Sequence, residues 1–408
     1  MTGSPPSPFY IVCLASFFKG GDFIGECKRR NCRVVLVTRE KLLGEDWPRA
    51  ELDDIVAVPD DATAEQFIHT VTQLARPLKL NRVVALEEYD VLTAALIREH
   101  LRLPGMTATT ARHFRDKLAM RSIARDAGLR VPAFVHLVNY QEIGEYMERT
   151  PAPWVLKPRS DVSAIGIKKM EESEQVWRAI DVLDARERLS ERSSHYLLER
   201  YVAGEVFHVD SLVEGGKVIF AGANRYGRPP MDVAHGGGVY LSYTIEHDSE
   251  EQRQLLELNS KLIEILGLER GAAHAEFIKS TSDGEFYFLE IAARVGGSYI
   301  AEVLEAASGV NLWRAWAGLE TARAEQPYEI GPQHREYGGI VLSLARQEWP
   351  DTSAYTEAEI VYRVRKRHHV GLVVRSPRFE RVRELLDAYA QRFHDEFAAV
   401  IPPLERPQ

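Results

Sequence analysis

Cysteine is scarce in this chain. Cys13, Cys27 and Cys32 are the only three among 408 residues, and they form neither a CxxC pair nor an even disulfide framework. That excludes a disulfide-stapled secreted scaffold and leads us to expect a reducing cytoplasm. Cys27 and Cys32 lack the second ligand pair a zinc site needs, so they read as small apolar side chains. No segment approaches the ~20 apolar residues of a membrane span. The Pro/Ser-rich start Met1–Pro8 lacks the basic start and apolar run of a signal peptide and is expected to be a disordered tail. Positive charge is also short: the formal net charge is −9 and no dense Lys/Arg stripe stands out, so neither nucleic acid nor membrane is expected as a partner. There is no internal repeat, no low-complexity tract, no GxGxxG and no GxxxxGK[ST]. Gly20-Gly21 therefore reads as a tight turn after the first strand.

What remains is a globular composition, 45% apolar and 27% charged, in a chain long enough for two or three domains. The first hundred residues alternate short apolar runs with helical patterns. Strands are expected at Tyr10–Ser16, Arg33–Thr38, Asp54–Pro59 and Arg82–Leu86, with helices at Asp22–Arg30 and Ala64–Ala75. Buried strands alternating with helices indicate an open parallel sheet. A single helix is expected from a cap at Thr109 or Thr110 to Gly128. From Trp154 the texture changes to strands with glycine-rich turns, then an amphipathic helix near Glu250–Leu266, a strand pair, and the helix Tyr299–Ala307. Beyond about Glu325 an α+β piece is expected, with strands near Gly338–Leu344 and Gly371–Arg375 and a charged helix Arg378–Phe393.

The strongest chemical signal lies in Ala272–Gly297. Two strands, Ala272–Lys279 and Glu285–Ile291, flank Thr281-Ser282-Asp283-Gly284, whose Asp-Gly marks a hairpin. Pairing about that turn sets Glu276 nearly opposite Glu290 on the same face, where two like charges ~5 Å apart are destabilising unless a cation neutralises them. Mg²⁺ suits such a site, because it takes one or two carboxylates plus substrate phosphates. Four residues past Glu290 comes Arg294, whose planar fork can pair with a carboxylate or phosphoryl group. Gly296 and Gly297 then allow a close backbone approach to a ligand, or simply turn the chain.

Upstream, Lys157 interrupts the apolar strand Trp154–Pro158, and its ammonium needs a partner such as a phosphate. A small-residue loop, Ser160–Gly166, follows. The extended run Tyr196–Val202, continuing through Gly204–Asp210, can wall a flat apolar slot for adenine, with Glu205 accepting from ribose hydroxyls. His208 reads as part of that wall rather than as a general base. Asn224 and Arg225 are candidates for phosphate or substrate contact. His235-Gly236-Gly237-Gly238 is either a mobile lid or a plain turn.

In this order, the set resembles the ATP-grasp ligases. It comprises Asp116-Lys117 before a helix ending Gly128-x-x-x-Pro132, Lys157-Pro158 with its loop, Glu199–Glu205, and Glu276 followed by Glu290-x-x-x-Arg294. The nearest pattern is the biotin carboxylase-like and L-amino acid ligase branch, and the resemblance covers most of the chain. It implies an α/β and α+β protein. A disordered tail (1–8) precedes a Rossmann-like open parallel sheet domain (9–108), a two-lobed ATP-grasp domain (109–325, small lobe about 130–203) and a small C-terminal α+β subdomain (326–408).

The resemblance also implies roles. Lys117 and Lys157 would hold the ATP phosphates under the loop containing Ser163 and Gly166. Glu199, Arg200, Tyr201 and Val202 would bind adenine and Glu205 the ribose. Glu276 and Glu290 would bind Mg²⁺, with Mn²⁺ able to substitute. Arg294 would hold the substrate carboxylate or stabilise the oxyanion, and His235, Gly237, Gly296 and Gly297 would border the substrates.

The implied reaction is ATP-dependent joining of a carboxylate and an amine, both small molecules and best read as amino acids, through an acyl phosphate. ADP and phosphate leave, and a homodimer is compatible with this reading. Two departures stand out. Ala292 occupies a position where the family usually has a metal-binding Asn, and Asp161-Val162-Ser163-Ala164 has fewer glycines than many relatives. Two alternatives stay open: a bicarbonate-using carboxylase-like enzyme, and an ATP-binding regulatory protein without turnover.

Overall fold

A computed structural model describes residues 8–161, 166–229, 238–323 and 327–399. The tail expected over 1–8 falls outside them except for Pro8. Near the N-terminus, β1 (Phe9–Ala15), β2 (Cys32–Arg39), β3 (Asp54–Val58) and β4 (Leu80–Ala85) form a parallel sheet in the order β3-β2-β1-β4. Strands buried on both faces explain the unbroken apolar run Ile11–Ala15. The order reverses between β1 and β4, so a crevice opens at their carboxyl ends, at Ser16–Gly20 and Leu86–Glu88.

The helix expected from Thr109 or Thr110 to Gly128 is two helices. Ala108–His113 is capped by Thr107, and Lys117–Asp126 is capped by Asp116, whose carboxylate accepts from the Leu118 amide at 3.0 Å. Asp competes better as an N-cap than inside a helix, so the chain breaks there and restarts. The restart puts Lys117 at the first turn of the second helix.

A second sheet, antiparallel in the order β5-β8-β6-β7, contains β5 (Phe134–His136), β6 (Trp154–Pro158), β7 (Lys168–Met170) and β8 (Tyr196–Arg200). The helices Tyr140–Arg149 and Ser173–Asp184 pack on it through Ile143, Met147, Val176 and Ile180. The largest sheet has eight strands: β9 (Gly204–Glu214), β10 (Lys217–Tyr226), β11 (Tyr240–Thr244), β12 (Arg270–Ser280), β13 (Phe286–Ala292), β14 (Tyr337–Leu344), β15 (Ile360–Arg363) and β16 (His369–Ser376). Their order is β13-β12-β9-β10-β11-β14-β16-β15. The C-terminal strands thus continue the central sheet through the β11–β14 pairing.

Alternation separates the two faces of β9, β10 and β12. Phe207, Val209, Ala275 and Phe277 face a core shared with the helix Glu250–Leu266, whose Leu255, Leu262 and Ile263 are buried. The opposite face carries Val206, His208, Asp210, Asn224, Tyr226, His274 and Glu276, a mostly polar set.

Candidate active site

The β12–β13 hairpin closes as its sequence requires, with Gly284 at φ 73° in the turn and Ser280 pairing across it. Its register puts Glu276 opposite Glu290 and His274 opposite Ala292. Tyr226 on β10 donates to Glu276 Oε1 at 2.7 Å. Lys117 Nζ lies 3.1 Å from Glu290 Oε2 and donates to the Asp161 carbonyl at 2.6 Å. Burial opposes ionisation of Glu290, yet the charges of Lys117 and then Lys157 hold its pKa down to about 2.

Lys157 on β6 meets Glu199 on β8 at 2.5 Å, and both are almost fully buried. Burial first, then Arg121, lowers the Lys157 pKa to about 8, with Glu199 pulling the other way. Arg121 closes this triad through Glu199 Oε2 at 3.0 Å, and its guanidinium also reaches the Leu289 carbonyl. Beside the triad lies an apolar patch of Val202, Val206 and Ile278, with Tyr287 and Leu289 at its margin. Arg200 sits over the Tyr287 ring and Lys169 over the Tyr201 ring. The segment Glu199–Val202 thus borders an apolar patch next to Lys157 and Lys169, a combination that suits a base and its phosphates.

Arg294 does not point freely into the site. Its Nε and Nη2 donate to Glu88 Oε2 at 3.0 and 2.9 Å, and Arg115 meets the other oxygen of Glu88 at 2.6 Å. Glu88 lies at the carboxyl end of β4, so the crevice of the parallel sheet opens onto the hairpin. Burial opposes its ionisation, but Arg294 and then Arg115 hold it below the usual range. Glu87 beside it is buried, and burial together with Asp90 raises its pKa to about 8.

Several residues expected in the site lie elsewhere. Glu205 points to the Phe207 face of β9 and pairs with Arg225, because alternation gives the site-facing position to Val206. Asn224 and Arg225, as neighbours on β10, face opposite sides and cannot share one pocket. Asn224 is fully buried, on the site face. His208 is also fully buried, with Nδ1 on Asp210 at 2.6 Å and Nε2 on Ser242 at 2.7 Å, so it is part of a polar core behind the carboxylates.

Gly296 packs onto that core: a Cβ there would lie 2.5 Å from Asp210 Oδ1, whereas Gly297 has nothing within 4 Å. Gly166 adopts φ 71° beside Pro158. Ser163, His235 and Gly237 lie outside the described residues. Sequence reasoning missed Glu88, Arg115, Arg121, Asp210 and His274. The polar residue His274, two positions before Glu276 and between the apolar residues Ala273 and Ala275, was the one local signal available.

The donor set fits a magnesium nucleotide. Two opposed carboxylates and two converging lysines on one side of a sheet would hold the ion and the phosphates between them. The ion, when bound, neutralises charge on a transferring phosphoryl group.

Residues 150–302 match the model of the ATP-grasp domain. Among curated proteins it is 22% identical over 322 residues, 76% of each chain, to the L-arginine-specific L-amino acid ligase of Bacillus subtilis. Among solved structures it resembles the L-amino acid ligase of Bacillus licheniformis, with TM-score 0.74, 19% identity, and 96% of this chain and 98% of that one covered. It also resembles the biotin carboxylase domain dimer of the Hydrogenobacter thermophilus 2-oxoglutarate carboxylase, with TM-score 0.70, 15% identity, and 95% and 90% covered.

Proposed function

We propose that this chain is an ATP- and Mg²⁺-dependent carboxylate–amine ligase joining two amino acids through an acyl phosphate. The observation that carries this reading is the opposition of Glu276 and Glu290 with Lys117 on Glu290. Support comes from Lys157 beside the apolar slot and from Arg294 four residues past Glu290. The resemblance to two L-amino acid ligases favours amino-acid substrates.

In this reading Lys117 and Lys157 bind the phosphates, Glu199–Val202 border the adenine, and Glu276 and Glu290 hold Mg²⁺, with Mn²⁺ as a substitute. A substrate carboxylate takes the Arg294 fork from Glu88 and attacks the γ-phosphorus. The P–O bond to ADP breaks, and the amine then attacks the acyl carbon and expels phosphate. Arg294 stabilises the developing oxyanion, and positioning with charge neutralisation supplies most of the acceleration.

The domains we assign are 9–108, 109–325 and 326–408. The cytoplasm is the compartment we assign, since all three cysteines are buried and unpaired and no described helix is long and apolar enough to cross a membrane. A homodimer is the assembly we propose, and light scattering decides it.

The test is phosphate release from MgATP with the common amino acids, singly and in pairs. Release should require a particular pair and fall roughly 10²–10³-fold in Glu290→Ala, as loss of a preorganised charge-stabilising group does. A requirement for bicarbonate, or ATP binding without turnover for any pair, would replace this reading with one of the two alternatives.

A further inference from the structure

Behind the carboxylate pair a chain of four buried polar groups ends in a nitrogen that faces the metal site. Ser242 Oγ contacts His208 Nε2 at 2.7 Å, and His208 Nδ1 contacts Asp210 Oδ2 at 2.6 Å. Asp210 Oδ1 contacts His274 Nδ1 at 2.8 Å. The remaining ring nitrogen, His274 Nε2, faces Glu276 Oε1 at 3.3 Å, with the Tyr226 hydroxyl 3.5 Å away.

We propose that His274 Nε2 is a ligand of the divalent ion held by Glu276, with Asp210 fixing the ring through Nδ1. The inference rests on the ATP-grasp reading of Glu276 and Glu290 as metal ligands and adds a nitrogen donor to them.

Three features carry it. First, the register makes a square on one sheet face, with His274 and Glu276 on β12 opposite Ala292 and Glu290 on β13. Three corners carry donor atoms, and the fourth is a methyl group that takes no part. Second, the 3.3 Å separation is long for a hydrogen bond to a carboxylate, which usually lies at about 2.7–2.9 Å. Ligands at right angles on an ion with bonds of roughly 2.1 Å lie about 3 Å apart, so this separation suits two donors sharing one ion. Third, a carboxylate on the far nitrogen of a ring is the arrangement that orients metal-ligating histidines and strengthens them as donors.

An ion enclosed by His208, Asp210 and His274 themselves, the one grouping of this kind among the described residues, is a poorer fit. Both Asp210 oxygens are already at hydrogen-bond distance from a ring nitrogen. Gly296 protects the arrangement, since a side chain there would strike Asp210 Oδ1.

An imidazole donor shifts preference toward Mn²⁺ and away from Mg²⁺, which favours oxygen. The test uses the full chain with ADP and Mn²⁺, read by electron spin-echo spectroscopy. A nitrogen coupling should appear on bound Mn²⁺, change when histidine is labelled with ¹⁵N, and vanish in His274→Gln. Asp210→Asn should keep the coupling but weaken Mn²⁺ binding roughly 10–100-fold, the usual cost of losing such an orienting group. Mn²⁺ bound with ADP but without histidine coupling in the unaltered protein would overturn this inference alone. Failure to bind Mn²⁺ with ADP at all would overturn the functional reading beneath it as well.

Discussion

Gly296 and Gly297 are adjacent in the chain but have opposite tolerance for a side chain. Only Gly296 sits over a buried carboxylate, where a methyl group would lie 2.5 Å from Asp210 Oδ1. Gly296→Ala should therefore cost about 1–3 kcal/mol in urea unfolding, as overpacking does. Gly297→Ala should stay within about 0.5 kcal/mol. Glu87 gives a pH signature. Its folded pKa is raised from 4.5 to about 8, by burial and then by Asp90. Between those values the folded state holds a proton the unfolded state has released, so this group makes stability fall as pH rises through the window. The slope is at most about 1.4 kcal/mol per pH unit. Glu87→Gln, which keeps the shape without the charge, should flatten that decline in unfolding curves collected from pH 4.5 to 8.

Among elements, the break at Asp116 matters most. Asp116 caps the helix Lys117–Asp126 and holds Arg159 through both of its oxygens, while the Lys117 amide donates to the Arg159 carbonyl at 2.7 Å. Asp116→Ala should cost about 1 kcal/mol for the cap and, by loosening Lys117, raise the KM for ATP, measurable in the same phosphate-release assay. This break was hidden in the sequence because Ala111, Phe114 and Leu118 fit one helical face as well as two. The helix Ala64–Ala75 and the helix expected near Glu250–Leu266 were legible, since each has a strong cap, Thr63 and Ser249, and an apolar stripe. The near-opposition of Glu276 and Glu290 was also legible from the Asp-Gly turn, but the turn's own register leads to Leu289, and an irregularity between Glu276 and Phe277 brings Glu290 directly opposite. Glu205 lies on the other face of β9 from His208, since a shift of one residue along a strand moves a side chain to the other face.

At the scale of the whole molecule, the site depends on contacts that no local pattern encodes. Glu88 reaches Arg294 from 206 residues away, and Arg121 reaches Glu199 across 78. The helix Gly21–Arg29 after β1 packs directly on the helix Leu312–Glu320, with Phe23 set edge-on to Trp316 at 5.0 Å between ring centres. The eight-stranded sheet likewise joins C-terminal strands to the site through β11, a pairing between segments about a hundred residues apart. The sequence shows the strands but not their neighbours.

The central claim is that a carboxylate oxygen is phosphorylated during turnover. Its most direct test is to supply an accepted amino acid labelled with ¹⁸O in its carboxylate and to weigh the phosphate released. The account predicts one ¹⁸O atom in each phosphate formed, carried over when the amine breaks the acyl phosphate. Product formed with unlabelled phosphate would contradict it.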